Sequence, residues 1–571
     1  MDFRVTNTGQ TFSDITGSQA LMYALIAEGV DTIFGYPGGQ IIPVYNALYD
    51  FTDRLHHVLV RHEQGAAHAA EGYARVSGKV GVCFATSGPG ATNLITGIAD
   101  AMSDSVPIVC ITGQVPSSAL GNDAFQETDI ISATIPITKW NYQVTKASEI
   151  PVIIAKAFLI ASSGRPGPVL IDITKDAQVT KTDCELVKVE EVTQLNNGLP
   201  EATLKEIASL VDGAKKPMIF AGQGIRISKA EDALRAFAEK TGIPVAFTLH
   251  GLSSLPPTHE LNIGMLGMHG NYSINMLSNE ADVVIAIGMR FDYRVTSNLS
   301  GYLAKSKIIH IEIDPAEIDK VVHVDVPLVS DAKVALEALL PLVSPNQHKE
   351  WLAEFRKLDE VEYEKVRKEA IHPSCSDIRM MEVVARLSEK TQGSAIIVSD
   401  VGQHQMCAAR YYDYACRNSF VTSGGLGTMG FALPASIGVQ SGCPDRTVVS
   451  IIGDGGFLMT VQELATIVQE HLKVKIIVLN NTFLGMVRQW QELFFQKRYS
   501  SVNLTSPDFV KIAEGFGVKA ERVENRDDLS SAIDRMLASD GSYLLDVAVA
   551  KEDNFFPMVP AGVSITDVRL E

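Results

Sequence analysis

The feature that most constrains the fold lies between residues 447 and 481, where two apolar runs each end in residues of metal-ligand type. The run TVVSIIG is followed by Asp454 and Gly455, and the run VKIIVLN is followed by Asn481, with an amphipathic segment between them. This order predicts strand, turn, helix and strand, and ligands of doubly wound sheets collect at such strand ends. The Asp carboxylate and Asn carbonyl suit a Mg²⁺ shared with phosphates, and the glycines let the backbone approach a diphosphate. An ordinary βαβ unit with a polar turn is the alternative.

Length and charge exclude several classes of protein. A chain of 571 residues exceeds one hydrophobic core, so three domains are expected. The net charge of −18 argues against nucleic-acid binding, and no run approaches the ~20 apolar residues of a membrane span. The N-terminal stretch lacks a secretory or transit signal, which predicts a cytoplasmic chain. Seven cysteines without a C-x-x-C pair predict reduced, largely buried thiols.

Apolar runs alternate with helical patterns in three blocks, which predicts an α/β fold of parallel-sheet domains. The predicted strands are TIFGYP, HHVLVR, VGVCFATSG, PIVCITG and GPVLIDIT in the first block, PMIFAGQG, IPVAFTLHG, DVVIAIGMRF and KIIHIEID in the second, and AIIVSD, SFVTSGG, TVVSIIGDG, VKIIVLNN and SYLLDVAV in the third. We place these domains at residues 1–185, 195–345 and 372–571. The polar, acidic stretch from Lys181 to Leu199 predicts a linker, and a charged helical segment that breaks at Pro373 leads into the third block. Blocks one and three could share a topology.

Longer stretches carry a family resemblance. They are RHEQGAAHAAEGYAR from Arg61, SGPGATN from Ser87, DAFQE from Asp123, GRPGP from Gly164, GQHQ from Gly402, GGLGTMG from Gly424 and NNTFLGM from Asn480. Together they resemble the large catalytic subunit of the acetohydroxyacid synthase (acetolactate synthase) family of thiamine diphosphate (ThDP) enzymes. The resemblance covers nearly the whole chain. It implies three doubly wound domains of the pyruvate oxidase/decarboxylase-like type, which bind the ThDP pyrimidine, FAD and the ThDP diphosphate in that order.

The resemblance implies roles for the two strongest motifs. Mg²⁺ is held by residues matching Asp454 and Asn481 and by the backbone carbonyl of the residue matching Phe483. Glu63, between a β-run and an Ala-rich helical stretch, matches the carboxylate that bonds the pyrimidine ring and activates the cofactor. Such proton chemistry needs a poorly solvated carboxyl group. A Glu that only favours a helix N-terminus is the alternative.

Further site residues follow from the same resemblance. The ThDP-binding residues are Gly402, Gln403, His404, Gly427, Met429, Gly453, Gly455 and Met486. The catalytic residues besides Glu63 are Gly39, Gln126, Lys175, Arg294 and Trp490. An ordinary polar loop at Gly402–His404 and core packing at Met429 are the alternatives.

Block two resembles the FAD-binding domain of the family. The FAD-binding residues it implies are Arg165, Gly222, Gly224, Gly267, His269, Gly288, Arg290 and Asp314. A single Gly turn after a strand, here AGQG, is weak support, and Asp314 could cap the following helical turn instead of binding a ribose hydroxyl. One departure stands out: the family stretch RFDDRV is RFDYRV here, with Tyr293 in place of the second Asp. That change puts the pose of Arg294, which matches the Arg that holds the second substrate's carboxylate, in doubt.

The implied activity is that of an acetolactate synthase. Pyruvate is decarboxylated on ThDP and its two-carbon unit is joined to a second pyruvate or to 2-ketobutyrate, which gives 2-acetolactate or 2-aceto-2-hydroxybutyrate for valine, leucine and isoleucine biosynthesis. FAD is carried without net redox chemistry. The resemblance further implies a homodimer or homotetramer, with each site between Glu63 of one chain and the diphosphate site of another, and a small regulatory subunit.

Four other functions remain open from the sequence. A pyruvate oxidase would use FAD for electrons, and a glyoxylate carboligase would lack the activating Glu that this chain retains. An FAD-free catabolic acetolactate synthase is disfavoured by the RFD-x-RVT and RQW stretches. A non-catalytic ThDP or nucleotide-binding scaffold is disfavoured by the intact Glu63, Asp454 and Asn481.

Overall fold

The N-terminal block is built on a parallel sheet of six strands. The structure, a computed structural model, describes residues 3–191 and 198–571. The strands of this block are β1 (Phe3–Thr16), β2 (Thr32–Gly35), β3 (His56–Leu59), β4 (Gly81–Ala85), β5 (Ile108–Gln114), β6 (Trp140–Val144), β7 (Val169–Thr174) and β8 (Lys181–Glu191). The sheet has the order β3-β2-β4-β5-β7-β6. Its helices are Gly17–Ala27, Ile42–Leu48, Glu63–Ser77, Pro89–Asn93, Ile95–Ser103, Ile130–Thr134, Ile150–Ser162 and Lys175–Val179.

The middle block has the strand order of dinucleotide-binding folds. Its strands are β9 (Pro217–Ala221), β10 (Val245–Phe247), β11 (Asn262–Met265), β12 (Val283–Ile287), β13 (Lys307–Glu312) and β14 (Val326–Val329). They are ordered β11-β10-β9-β12-β13-β14, so the order reverses between β9 and β12, where such folds bind their ligand. Its helices are Glu201–Gly213, Gln223–Ile227, Glu231–Thr241, Tyr272–Leu277, Tyr293–Thr296 and Ala332–Leu339.

The C-terminal block repeats the topology of the first. Its strands are β15 (Ile396–Ser399), β16 (Phe420–Thr422), β17 (Val448–Gly453), β18 (Lys475–Asn480), β19 (Lys519–Val523) and β20 (Tyr543–Ala548). The order β16-β15-β17-β18-β20-β19 matches the first sheet strand for strand, as the sequence suggested. Its helices are Met380–Thr391, Gln403–Tyr411, Ala432–Gly442, Asp454–Thr460, Leu464–Gln469, Gly485–Phe494, Phe509–Gly515 and Arg526–Ala538. Three α/β blocks with parallel six-stranded sheets confirm the predicted fold class.

The linker prediction is wrong over residues 181–191. These residues form β8, which pairs antiparallel with β1 in a two-stranded ribbon. Residues 192–197 of the predicted linker lie outside the described residues. The charged segment that follows the middle block is helical over Lys349–Glu362, continues as a π-helical turn and ends at Ile371, ahead of the predicted break at Pro373.

Two glycines bring the N- and C-terminal blocks into direct contact. A Cβ on Gly72 would lie 2.1 Å from the Ala435 carbonyl oxygen, and one on Gly438 would lie 1.8 Å from that of Ala69. Helices Glu63–Ser77 and Ala432–Gly442 therefore pack backbone to backbone. All seven cysteines are free thiols and four are buried. No helix in the described part of the chain is both long and apolar enough to cross a membrane.

Candidate active site

A cavity of about 370 Å³ lies at the carboxyl ends of β15, β17 and β18. The strand order reverses between β15 and β17, so the cavity occupies the switch point of the C-terminal sheet. All the residues that the sequence assigned to ThDP and the metal line it, together with two of the predicted catalytic residues. They are Gly402, Gln403, His404, Gly427, Met429, Gly453, Asp454, Gly455, Asn481, Phe483, Met486, Arg294 and Trp490.

Three helices begin at this cavity, and none of them has a side-chain cap. One starts at Gln403, in the loop that follows β15, and one starts at Asp454, directly after β17. The third starts at Gly485, in the loop that follows β18. Helix N-termini present unpaired N–H groups and a partial positive charge, which suits an anion. A Cβ on Gly453 would lie 2.8 Å from the His404 ring, so the turn needs its glycine to let the backbone close around the site. The arrangement fits a diphosphate.

The predicted metal ligands are buried polar groups with few partners. Asp454 and Asn481 are 1% and 3% exposed. Ser506 donates to Asp454 Oδ2 at 2.9 Å, and the Phe483 N–H donates to Asn481 Oδ1 at 3.1 Å. Burial raises the pKa of Asp454 to about 6, and no cationic side chain of the described residues pairs with it. A hard divalent cation would balance the charge of Asp454, so the donor set fits Mg²⁺.

The cavity is also lined by the guanidinium of Arg294, which has no partner among the described residues. Asp292 accepts from the backbone N–H groups of Arg294 and Val295 at 2.9 and 3.1 Å, so its carboxylate caps the short helix. Tyr293, 53% exposed, lines the cavity but brings no charge. Within the described residues, the Arg294 guanidinium makes no hydrogen bond or ion pair. It can therefore take an anionic ligand without first breaking a protein contact.

Trp490 is partly exposed and lines the same cavity. Its ring packs edge-on against Phe494 with centroids 5.9 Å apart. Helix Gly485–Phe494 also places Met486 and Val487 in the cavity lining. The helix thus gives the cavity an apolar surface in addition to the charged Arg294.

Glu63 begins helix Glu63–Ser77 at the edge of the N-terminal sheet. Its carboxylate is 9% exposed and accepts from Asn93 Nδ2 at 2.9 Å. A Cβ on Gly90 would lie 3.1 Å from Glu63 Oε1 and 2.8 Å from Thr86, so a glycine keeps the space beside the carboxylate open. Both readings of Glu63 have support: it is poorly solvated, and it lies at a helix N-terminus.

The other predicted N-terminal residues lie around the same edge. Lys175 Nζ is 3.5 Å from the Gly39 carbonyl oxygen. The N–H of Gln40, which follows Gly39, donates to the Thr86 hydroxyl at 3.1 Å. Gln126 has a positive φ of 61° and packs under Gly88, whose Cβ would lie 2.8 Å from the Gln126 carbonyl. Gly39, Gln126, Lys175 and Glu63 therefore form one group.

This N-terminal group stands apart from the C-terminal cavity of the same chain. Among the described residues that line the cavity, none belongs to the N-terminal block, and Glu63 is absent from its wall. A single chain thus keeps the predicted activating acid apart from the predicted phosphate and metal ligands.

A second cavity lies at the switch point of the middle sheet. Five of the predicted FAD residues line it: Arg165, Gly224, His269, Gly288 and Arg290. A Cβ on Gly224 would lie 2.5 Å from Gly288 Cα, so two glycines bring the loops after β9 and β12 together. His250 and His269, also in the lining, each have a buried Nδ1 with no hydrogen-bond partner in the structure. Unpaired buried donors or acceptors in a Rossmann-type crevice fit a nucleotide cofactor.

Three predicted FAD residues do not line this cavity. Gly222 packs against the Gly288 carbonyl oxygen, and Gly267, with φ +98°, packs against that of Arg294. Asp314 caps the turn Pro315–Glu317 by accepting from the Ala316 N–H at 3.0 Å. Asp314 therefore makes the contact of the capping alternative, and its binding of a ribose hydroxyl stays a prediction. The two glycines shape the backbone around the cavity.

Several contacts at the two sites were not predicted. Asn93 and Ser506 hold the Glu63 and Asp454 carboxylates, although Asn93 stands in the SGPGATN stretch that marked the family. Glu312, at the end of β13, lines the middle cavity, and burial raises its pKa to about 7. A strand-end acid is a signal that sequence could have given, whereas Ser506 follows no motif.

Comparison with known proteins finds full-length similarity. Three thiamine pyrophosphate enzyme models match: the N-terminal TPP binding domain over residues 15–133, the central domain over 204–339 and the C-terminal TPP binding domain over 400–547. The acetolactate synthase isozyme 2 large subunit of Escherichia coli strain K12 is 45% identical, over 97% of this chain and 99% of its own length. The acetolactate synthase large subunit of Lactococcus lactis is 45% identical over 96% and 95%. The chloroplastic acetolactate synthase 2 of Nicotiana tabacum is 46% identical over 97% and 85%.

Proposed function

We propose a reaction for this chain on the premise that it belongs to the acetolactate synthase large-subunit family of thiamine pyrophosphate enzymes, as its 45% identity over nearly its full length establishes. The chain joins the two-carbon unit of pyruvate to a second 2-keto acid, with loss of carbon dioxide. The products are 2-acetolactate and, from 2-ketobutyrate, 2-aceto-2-hydroxybutyrate. The observation that carries the proposal is the C-terminal cavity, in which uncapped helix N-termini, Asp454, Asn481 and the unpaired Arg294 converge.

The C-terminal residues hold and orient the cofactor. When bound, ThDP supplies the electron sink for decarboxylation and carbon–carbon bond formation. The N–H groups at Gln403 and Asp454 would bind its diphosphate, and Asp454, Asn481 and the Phe483 carbonyl would hold the Mg²⁺. Met429, which lines the cavity, would contact the cofactor. Glu63 would hold a proton at the pyrimidine nitrogen, for which its low exposure is suited.

Two residues would bind the second 2-keto acid, which accepts the two-carbon unit: one its carboxylate and the other its alkyl group. Arg294 would bind the carboxylate of the incoming 2-keto acid in a two-point contact, since no protein carboxylate neutralises it. Trp490 would contact its alkyl end. Lys175, Gly39 and Gln126, from the N-terminal half-site, would close the other side of the reaction space.

The middle cavity is proposed to hold FAD in a structural role. Arg165, Gly224, Gly288 and Arg290 would contact it, with the unpaired Nδ1 atoms of His250 and His269 as further partners. Four residues line both this cavity and the C-terminal one: Met268, His269, Arg294 and Met406. FAD would therefore support the wall of the ThDP site.

The assembly is proposed to be a homodimer or a dimer of dimers. The separation of Glu63 from the C-terminal cavity of its own chain supports a site completed by a second copy. The relatives' names describe large subunits, so we propose a smaller regulatory subunit as a further partner. The cytoplasmic location stays a prediction from the sequence.

The decisive experiment incubates the purified protein with pyruvate, ThDP, Mg²⁺ and FAD, with and without oxygen. Acetolactate and carbon dioxide should form at equal rates in both cases, with no stoichiometric flavin reduction. Oxygen uptake matching pyruvate use would instead establish a pyruvate oxidase. Binding of ThDP without turnover of pyruvate would establish a scaffold.

A further inference from the structure

The segment from Ser423 to Ala432 forms a wall of both cavities. Gly424 and Gly425 line the middle cavity, whereas Gly427 and Met429 line the C-terminal one. Gly427 and Gly430 have φ angles of +75° and +85°, so the chain turns twice here without regular secondary structure. A segment of this kind needs other groups to bind its N–H donors, because it has no ladder of its own.

The donors are bound by two acids of the N-terminal block. Asp104 accepts from the N–H groups of Gly425 and Gly424 at 2.7 and 2.9 Å. The Ser423 hydroxyl donates to Asp100 at 2.5 Å and accepts from the N–H groups of Gly427 and Thr428 at 3.0 and 2.8 Å. Asp400, of the C-terminal block itself, binds only the last part of the segment, at Gly430 and Ala432.

The two acids are themselves held deep inside the molecule. Asp100 is 0% and Asp104 1% exposed. Arg75 donates to Asp104 at 2.8 Å, and His68 lies 3.9 Å from the second oxygen of Asp100. Arg75 and His68 belong to the helix that begins at Glu63. The N-terminal helix that carries the activating acid thus also anchors the loop under the cofactor.

The charges on this pair are unequal. Burial, with the nearby Glu71 and Asp104 carboxylates, raises the pKa of Asp100 to about 8. Burial also opposes the charge on Asp104, but His250 and Arg75 hold the pKa of Asp104 below its usual range. Asp104 is therefore the charged partner of the two glycine N–H groups. Asp100 serves chiefly as the acceptor for Ser423.

We propose that Asp100, Asp104 and Ser423 are positioning residues that hold residues 424–429 between the two cavities, so that the support beneath ThDP is set by the N-terminal block. The inference rests on the proposed function. None of the three residues lines the C-terminal cavity. Asp104 therefore acts through the backbone of Gly424 and Gly425, and Asp100 and Ser423 act through that of Gly427 and Thr428. A loop released from them would lose its preset shape, and ThDP would have to order it on binding.

The test measures the dissociation constant of ThDP by calorimetry, on FAD-loaded protein with saturating Mg²⁺. Ser423→Ala removes one hydroxyl that joins three buried polar groups, so ThDP binding should weaken by about ten- to a hundredfold. The matched control is Ser436→Ala, since Ser436 is equally buried but bonds only the Leu433 carbonyl within its own helix. The control should bind ThDP within about twofold of the parent.

A second pair of variants covers the case in which Ser423→Ala does not fold. Asp100→Asn keeps an acceptor oxygen for Ser423 and should bind ThDP nearly as the parent does. Asp100→Ala removes the acceptor and should weaken binding as Ser423→Ala does. Parental ThDP affinity in a folded Ser423→Ala or Asp100→Ala protein would overturn the proposal. A parent that binds ThDP but forms no acetolactate would overturn the proposed function alone, because the affinities would still decide the positioning role.

Discussion

At the scale of single residues, the metal ligands have unequal weight. Asp454 brings a negative charge to a buried site, whereas Asn481 brings only a neutral oxygen. Residues that only support a metal ligand are commonly worth 10–100-fold in metal affinity, and a charged direct ligand should be worth at least as much. Asp454→Ala should therefore weaken Mg²⁺-dependent ThDP binding by about a hundredfold or more, and Asn481→Ala should weaken it by less. Equilibrium dialysis at several Mg²⁺ concentrations measures both. Equal losses in the two variants would contradict the charge argument.

The acceptor pocket gives a second prediction at this scale. Pyruvate and 2-ketobutyrate differ by one methylene, which an apolar pocket discriminates by only ~1–3 kcal/mol. Trp490→Leu should therefore reduce a preference for 2-ketobutyrate by about tenfold or more, while decarboxylation of pyruvate continues. A competition assay with both keto acids measures the product ratio. Phe494→Leu, which alters the ring against which Trp490 packs, is the control for lost packing; an unchanged ratio in folded Trp490→Leu would remove Trp490 from the acceptor site.

The sequence predicted the positions of candidate site residues best where they stand at the end of a strand. Gly453 and Asp454 stand at a strand end in a short, ordered motif, so their position followed from the chain alone. Ser506 and Asn93 hold the carboxylates across distances of 52 and 30 residues along the chain. Such partners are set by tertiary packing, and no local pattern announces them. The sequence alone also does not decide the role of Asp314, because an acid at a strand end can either bind a ligand or cap a turn.

At the scale of elements, central strands were predictable and edge strands often were not. The strands β6, β11, β14 and β19 were missed, and each lies at an edge of its sheet. An edge strand is partly exposed, so KAERV in β19 carries charges where a central strand such as VVIAI in β12 is fully buried. The ribbon of β1 and β8 escaped prediction because its partners are more than 160 residues apart. Cys184, Leu186 and Val189 are buried, but the charged Glu185 and Lys188 between them are typical of a linker.

The edge strand β3 should make the N-terminal sheet sensitive to acid. Burial lowers the pKa of His57 to about 4, and its Nε2 lies 3.0 Å from the Tyr45 hydroxyl. Below its unfolded pKa of ~6.5, the opened strand binds a proton that the folded strand does not. Stability therefore falls as pH drops from about 6.5 to 4. Between pH 7 and pH 5, the free energy of opening the strand should fall by about 2 kcal/mol, and His57→Gln should remove this loss.

Hydrogen exchange of the β3 amides, corrected for intrinsic rates, measures this opening at both pH values. His56→Gln on the same strand is the matched control. The hydrogen bond to Glu470 raises the pKa of His56, so that residue stabilises the strand at low pH and loses its effect as pH rises. Its contribution should be small because His56 is exposed. If the opening free energy of β3 fell by as much between pH 7 and pH 5 in His57→Gln as in the parent, His57 would not be the responsible group.

At the scale of the complete chain, the predicted activating acid does not meet the predicted phosphate and metal ligands. The N-terminal half has Glu63, and the C-terminal half has Asp454 and Asn481 in a cavity that Glu63 does not line. The two sheets share a topology, so each half lies at the same switch point of its own sheet. In a symmetric dimer, every contact between two different surfaces occurs twice. Two copies would therefore complete two sites, each from the N-terminal half of one chain and the C-terminal half of the other.

This arrangement predicts that two inactive variants restore activity when mixed. Glu63→Gln and Asp454→Ala should each be inactive as homodimers. When they are co-expressed, about half of the dimers contain one chain of each kind, and each such dimer has one intact site of two, so about a quarter of parental activity should return. Acetolactate formation by the co-purified pair, against the two variants mixed without subunit exchange, gives the measurement. If Glu63 instead served the cavity of its own chain, every site would carry one lesion and no activity would return.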